Sequence, residues 1–366
     1  MTRGALRAGV LLTALTAVLW AQAPRGVRGV RRPVRPHASA AETVGLTPEM
    51  RIVVGHITAN SLRGDVSFLA SDLLEGRGTP SRGLDIAGEY VASQFRRLGL
   101  EPAGDDGYFQ NVVLKPEDPE SPKSRNVTAI LRGSDPHLKD TYVMLSAHYD
   151  HAGLAQAGDD RIFNGANDNA SGAASVLEVA NALAALHPRP KRSVLFILFC
   201  GEEKGLWGSR YYVDHPVVPL DKTVADLNLE QLGRTDAPEG PHLKSANVTG
   251  FDYSDLTPVL VDAGRRVGIV VSKNPNASDK YFNMSDNQPL AKAGIPAHTL
   301  SVTYEFPDYH AVGDEWQKLD YDNMAKVDQA VGIATLRLAQ ALTAPRWNEA
   351  DPAAKPYAAA AKKLHE

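Results

Sequence analysis

The chain holds a single cysteine, Cys200, in 366 residues. No disulfide can form within it, so the fold must rest on its core, and a chain of this length with 43% hydrophobic residues can bury a sufficient one. Cys200 ends an apolar run and reads as a small buried hydrophobe, not a nucleophile. The net charge is only −4, which excludes a general attraction to nucleic acid or to acidic membranes. No GxSxG elbow precedes a helical pattern, so a serine hydrolase finds no support. No internal repeat is visible.

The N-terminus reads as a targeting segment. Arg3 and Arg7 precede the apolar run Val10 to Ala21, and Ala21-Gln22-Ala23 matches a small-x-small cleavage pattern. A run of roughly 12 residues is too short to span a bilayer. Residues 1–23 are therefore expected to be a signal peptide, which places the mature protein outside the cytoplasm, secreted or periplasmic. Residues 24–45 follow as a basic arm or pro-segment with Arg25, Arg28, Arg31, Arg32 and Arg35. Without the seven arginines of residues 1–36 the net charge becomes −11, so the body itself is acidic. Residues 46–345 are expected to form one catalytic domain, and 346–366 a tail. Asn-x-Ser/Thr sequons stand at Asn126, Asn169, Asn247, Asn276 and Asn283, and matter only if the source glycosylates exported proteins.

Hydrophobic periodicity gives the elements. Leu62, Val66, Leu69 and Leu73 recur at helical spacing, and Ile86 to Leu98 predicts a helix stopped by Gly99. Residues 115–125, rich in proline, serine and charge, predict a loop. Strands are expected at 142–147, 193–200, 223–229 and 297–302, and helices at 171–186, 203–212 and 324–342, the last capped by Asp322. Strands apolar on both faces sit in the middle of a sheet covered by helices. The expected fold is thus α/β: a three-layer sandwich with a mixed, mostly parallel central sheet. Such folds place chemistry beyond the carboxyl ends of their strands.

Five polar clusters occupy those ends or the turns beside them: Ser146 to His151, Asn164 to Gly172 in a turn that opens a helix, Gly201 to Glu203, Asn228 to Glu230, and Tyr309-His310. Each alone has a plain alternative. A lone histidine is usually structural, Asp168 could cap a helix, Glu202-Glu203 could be a solvated helix start, and Glu230 could lie on the surface. Their coincidence on one rim changes the balance, because gathered carboxylates repel one another and cations resolve the conflict.

The segments HYDH, GANDNASG, CGEEKGLWGS, LNLEQLGR and YH resemble the co-catalytic zinc aminopeptidases, a family that also includes glutamate carboxypeptidase-like proteins. LASDLLEGRGTPSRGLDIAGEYVASQFRRLGLEP and SDNQPLAKAGIPA are similar to it too, so the resemblance covers roughly residues 55–345. It implies two zinc ions per chain. His148 and Glu230 would hold one, Glu203 and His310 the other, and Asp168 would bridge them. Glu202 would be the general base, Asp150 would orient His148, and Tyr309 would donate a hydrogen bond to the developing oxyanion. Mixed histidine and carboxylate ligands suit catalytic zinc, and three carboxylates against two divalent cations leave about +1, which favours a bound, shared hydroxide.

The implied activity is removal of N-terminal residues from peptides by a monomer that takes no nucleic acid and no stable membrane insertion. Two departures stand out: Glu230 where many relatives carry Asp, and Asn287 where relatives often carry His. The span from Asn111 to Tyr142 is too short for the protease-associated domain of larger members. Three alternatives stay open. A dipeptidase or carboxypeptidase would need a basic group for the substrate carboxylate, and no arginine cluster lies near the motifs. A glutaminyl-cyclase-like acyltransferase would use one zinc, whereas His148 and Asp168 are both present. A non-enzymatic relative would have lost ligands or the base.

Overall fold

The computed structural model describes residues 45–114, 118 and 120–366. The expected signal peptide, residues 1–23, and residues 24–44 of the expected basic arm lie outside them.

Among the described residues, nine strands form one sheet: β1 (Glu101–Pro102), β2 (Phe109–Val113), β3 (Lys123–Leu131), β4 (Tyr142–His148), β5 (Ser193–Phe199), β6 (Thr223–Leu229), β7 (Ser245–Val248), β8 (Val270–Ser272) and β9 (Ala297–Ser301). The order is β1-β3-β5-β4-β6-β9-β7-β8, with β2 also on β3. The four central strands run parallel, while β3 joins β5, and β7 joins β9, antiparallel. The sheet is mixed, with its parallel part at the centre where both faces are covered.

Alternation along the strands feeds two cores. Val143, Leu145, Val194, Phe196 and Leu198 point into the larger one. Met144, Leu195, Ile197 and Phe199 point into the smaller. Successive side chains of a strand face opposite sides, so a run apolar throughout needs a helical layer on each. The larger core receives α1 (Pro48–His56), α2 (Ala59–Leu69), α3 (Arg82–Arg97), α4 (Ser171–Ala184), α6 (Leu256–Val267) and α8 (Tyr321–Gln340). The smaller receives α5 (Trp207–Asp214), α7 (Asn287–Lys292) and α9 (Lys355–Leu364).

Several sequence expectations shift. Residues 346–366, expected as a tail, belong to the fold. Trp347 is buried in the smaller core, its indole N–H donates to the Gly294 carbonyl at 2.8 Å, and α9 buries Ala358 there. The short, alanine-rich helix hides this role because its contacts are backbone-close: a Cβ on Gly294 would meet the Ala361 nitrogen at 2.5 Å. Residues 123–125, expected in a loop, begin β3, because they pair with 111–113 of β2. Leu73 leaves the helical stripe: α2 ends at Leu69, and Leu73 lies 84% exposed in a following turn. Asp320, not Asp322, caps α8 by accepting from the Asn323 N–H at 3.0 Å. Val176, Val179, Leu183 and Leu186 are buried, as the periodicity of α4 requires.

Candidate metal centre

The chemistry-bearing side chains gather at the carboxyl ends of the central strands. His148 is the last residue of β4. Glu202 and Glu203 follow β5 after Gly201, whose φ of +70° turns the chain sharply. Glu230 follows β6, and His310 lies in the loop after β9. Asp168 sits on the irregular turn that opens α4.

Asp168 lies at the centre of the group. Its Oδ1 is 3.4 Å from His148 Nε2, and its Oδ2 is 3.1 Å from His310 Nε2. His148 Nε2 is also 3.3 Å from Glu230 Oε1, and His310 Nε2 is 3.5 Å from Glu203 Oε2. Each imidazole therefore faces one private carboxylate and one oxygen of the shared Asp168. Ligand atoms of His148, Glu202 and Glu230 lie within 4.8 Å of one another, as do those of His151, Asp168 and Glu203.

The turn around Asp168 is locked to its neighbours. Asn167 Oδ1 accepts from the Gly233 and Arg234 N–H groups, both at 2.8 Å. Asn169 donates to the Leu229 carbonyl at 2.9 Å and accepts from the Gly172 N–H at 2.9 Å. These two asparagines tie the Asp168 turn to the loop carrying Glu230. Asn169 is wholly buried, so its sequon cannot carry a glycan in the folded chain. Gly172 is required where it stands, since a Cβ would meet Asn169 Oδ1 and the Leu229 carbonyl, both at 2.4 Å. Asp314, buried, accepts from the N–H groups of Asn167 and Asp168 at 3.0 Å, and burial pushes its carboxyl up to about 6.

Other side chains hold the rim. His148 Nδ1 lies 3.2 Å from the Asp150 carbonyl and 3.6 Å from the Asp150 carboxylate. Asp150 orients this ring through its main chain, and its carboxylate instead accepts from Thr79 Oγ1 at 2.8 Å and the Glu202 N–H at 3.2 Å. Arg77 is buried without a carboxylate in contact, donating to the carbonyls of Leu69, Tyr149, Asn164 and Gly165. It thereby joins the strand end bearing His148 to the turn bearing Asp168. Arg234 grips both oxygens of Asp236 and Asp308 Oδ2 at 2.6–2.8 Å, anchoring the loop two residues before His310. His310 has a φ of +51°, a left-handed conformation that costs a non-glycine residue about 1–3 kcal/mol and persists only where the surroundings fix it. Tyr309, 40% exposed, stacks on the His310 ring at 4.0 Å.

The charges are in conflict without a cation. Burial would push Asp168 up, but its close contacts with His148 and His310, and the nearby His151, hold it well below the usual carboxylate range. Burial would lower His148, but the charge of Glu202 and contacts with Asp150, Asp168 and Glu230 raise it well above an ordinary histidine. Burial raises Glu202 far above the usual carboxylate range, and Glu230, Asp286 and Glu203 add to it against the pull of His148. Burial also raises Glu230. His148 Nε2 is buried with no hydrogen-bond partner. An imidazole nitrogen among carboxylates, unpaired and out of water, is a ligand atom for a divalent cation. The residues present fit zinc.

Sequence reasoning left Asn167, Asn169, Asp314, Arg77, Thr79, Arg234 and His151 without roles at the site. GANDNASG and HYDH already contained three of them, but hydrogen-bonding partners 52 to 67 residues away carry no local signal. Asn287 is a scaffold residue: buried, it donates to the Phe282 carbonyl at 2.9 Å and accepts from Thr299 Oγ1 at 3.0 Å.

Fold and site together define a hydrolase of the metallopeptidase type built on an α/β sandwich. Residues 126–335 match the description of Peptidase family M28, and the chain belongs to that family; it is a zinc peptidase, a hydrolase. A probable zinc metalloprotease of Pyrenophora tritici-repentis is 30% identical over 346 residues, covering 81% of this chain and 70% of that protein. The LapA aminopeptidase of Legionella pneumophila superposes with a TM-score of 0.64 at 20% identity, over 81% of this chain and 75% of its own. The glutaminyl cyclase of Bacteroides thetaiotaomicron superposes at 0.58 with 17% identity, over 76% and 98%. The shared fold therefore hosts both chemistries, and the site must decide between them.

Proposed function

We propose that this protein is a secreted, monomeric aminopeptidase that works with two zinc ions. The observation that carries the reading is Asp168, whose two oxygens face two different histidines, each with a carboxylate of its own. His148 and Glu230 would hold one zinc, Glu203 and His310 the other, and Asp168 would serve both. A one-zinc centre would leave one of these two sets without a purpose. Glu230, one methylene longer than Asp, still reaches His148.

Zinc when bound would polarise the scissile carbonyl and make the attacking water more acidic. The chain supplies the rest. Glu202, beside Glu203 but free of its own metal role, accepts the proton of the attacking water as the C–O bond forms. The same carboxyl then gives that proton to the leaving amine as the C–N bond breaks. Tyr309, half-exposed and stacked on the His310 ring, would donate its phenol hydrogen to the developing oxyanion. Asp150 fixes both His148 and the Glu202 backbone.

N-terminal specificity is supported by charge. The carboxylates and histidines of the rim are committed to zinc and to proton transfer, so a substrate carboxylate would have to be held by an arginine at that rim. The arginines that reach it, Arg77 and Arg234, have their donors engaged by carbonyls and by Asp236 and Asp308. Neither is free to take a substrate carboxylate. Among the described residues no helix is long and apolar enough to cross a membrane.

Zinc counting and turnover of aminoacyl amides by wild type and Glu202→Gln test this reading. Both proteins are expected to hold two zinc ions, with the variant slower by about 10²–10⁴-fold. Undiminished turnover would remove Glu202 from its role. Cleavage confined to peptides with a free C-terminus would favour a carboxypeptidase, and pyroglutamate formation with one zinc a cyclase.

A further inference from the structure

His151 is fully buried, three residues after His148, and takes no part in the roles assigned above. Its Nδ1 lies 2.7 Å from Glu203 Oε1 and 4.0 Å from Asp168 Oδ2. The other oxygen of Glu203, Oε2, is the one that faces His310 Nε2 at 3.5 Å. The two oxygens of one carboxylate are thus divided between two histidines. A carboxylate only accepts, so a contact of 2.7 Å requires the hydrogen on Nδ1 of His151.

The ring is not free to choose another partner. Its backbone N–H donates to the Arg77 carbonyl at 3.2 Å. Gly165 packs so closely that a Cβ there would meet His151 Cγ at 2.5 Å. The far nitrogen, Nε2, is buried and has no hydrogen-bond partner. A buried nitrogen without a partner is unfavourable, which makes the contact at Nδ1 the interaction that favours keeping the ring there.

We propose that His151 is a positioning residue: by donating its Nδ1–H to Glu203 Oε1 it leaves Oε2 as the sole metal-facing oxygen and so sets the affinity of the Glu203–His310 position. This rests on the two-zinc reading. It makes the two positions unequal in their dependence on His151, since His148 and Glu230 do not touch that ring in any contact described above. Partners that hold ligands in this way typically change metal affinity by about 10–100-fold when removed.

The test uses zinc-loaded enzyme challenged with graded chelator, counting the zinc retained at each level. His151→Ala and His151→Gln lose the donor at the Nδ1 place, and each is expected to weaken one release step by about 10–100-fold while the other step stays put. His151→Asn places an amide N–H near the lost Nδ1 and is expected to restore that step close to wild type. Should the alanine variant not fold, the glutamine and asparagine pair carries the comparison. Unshifted release in His151→Gln, or His151→Asn as weak as His151→Gln, overturns the proposal. So does a changed ligand-field spectrum in cobalt-loaded His151→Asn, which would make the ring itself a ligand. A wild type that retains fewer than two zinc ions overturns the two-zinc reading, and this proposal with it.

Discussion

Arg234 holds the loop that carries His310 by gripping Asp236 and Asp308 at once. His148, Asp168, Glu203, Glu230 and His310 stood at strand ends or on the turns beside them, and the structure brings them together around Asp168 and His148. Arg234 could not be read that way, because its partner Asp308 lies 74 positions on. Lysine cannot fork across Asp236 and Asp308 at once. Arg234→Lys should therefore keep the fold but lower kcat/KM by about tenfold or more, the effect of slightly misplaced groups; an unchanged kcat/KM with aminoacyl amides would contradict the anchoring role. A second residue concerns stability. Asp328 on α8 is fully buried, with Ser175 Oγ donating to Oδ2 at 2.9 Å and Oδ1 unpaired. Burial pushes its carboxyl well up, against the pull of Ser175. Unfolded, it ionises near 3.9. Above that value folding must take up a proton, so its contribution is favourable at low pH and is lost as pH rises. Asp328→Asn should gain stability over wild type, and the gain should grow between pH 5 and pH 8 in urea titrations. A gain that does not vary with pH would refute this.

At the scale of elements, the central strands were visible because apolar runs covered on both faces have few other homes. β4, β5, β6 and β9 fall where the runs are. The strands outside the parallel centre were not visible: β1 and β8 span two and three residues, and β3 begins in a stretch whose composition reads as loop. Pairing with a neighbour, not composition, makes them strands. α9 was missed for a similar reason, as its small side chains give close backbone packing in place of a hydrophobic stripe. The anchor of that region is Trp347, 6% exposed against Phe282 and Tyr357. Trp347→Ala should cost about 3–5 kcal/mol in urea unfolding. A loss below about 1 kcal/mol would mean the segment after Pro345 is ornamental after all.

At the scale of the whole molecule, a sheet with two apolar faces pays for a rim of gathered acids, and cations are what reconcile the rim with the core. Stability should then depend on zinc by mass action: a ligand at 1,000 times its Kd contributes about 4 kcal/mol per site. Stripping zinc with chelator should lower Tm by several degrees, and added zinc should restore it. A Tm indifferent to chelation would show that the acids tolerate one another unaided.

The central claim is that Asp168 stands between two zinc positions. Anomalous diffraction at the zinc edge from crystals of the loaded enzyme tests it most directly. Two peaks roughly 3.5–4 Å apart should flank the Asp168 carboxylate, one beside His148 and Glu230 and one beside His310 and Glu203. A single peak, or peaks away from Asp168, would contradict it.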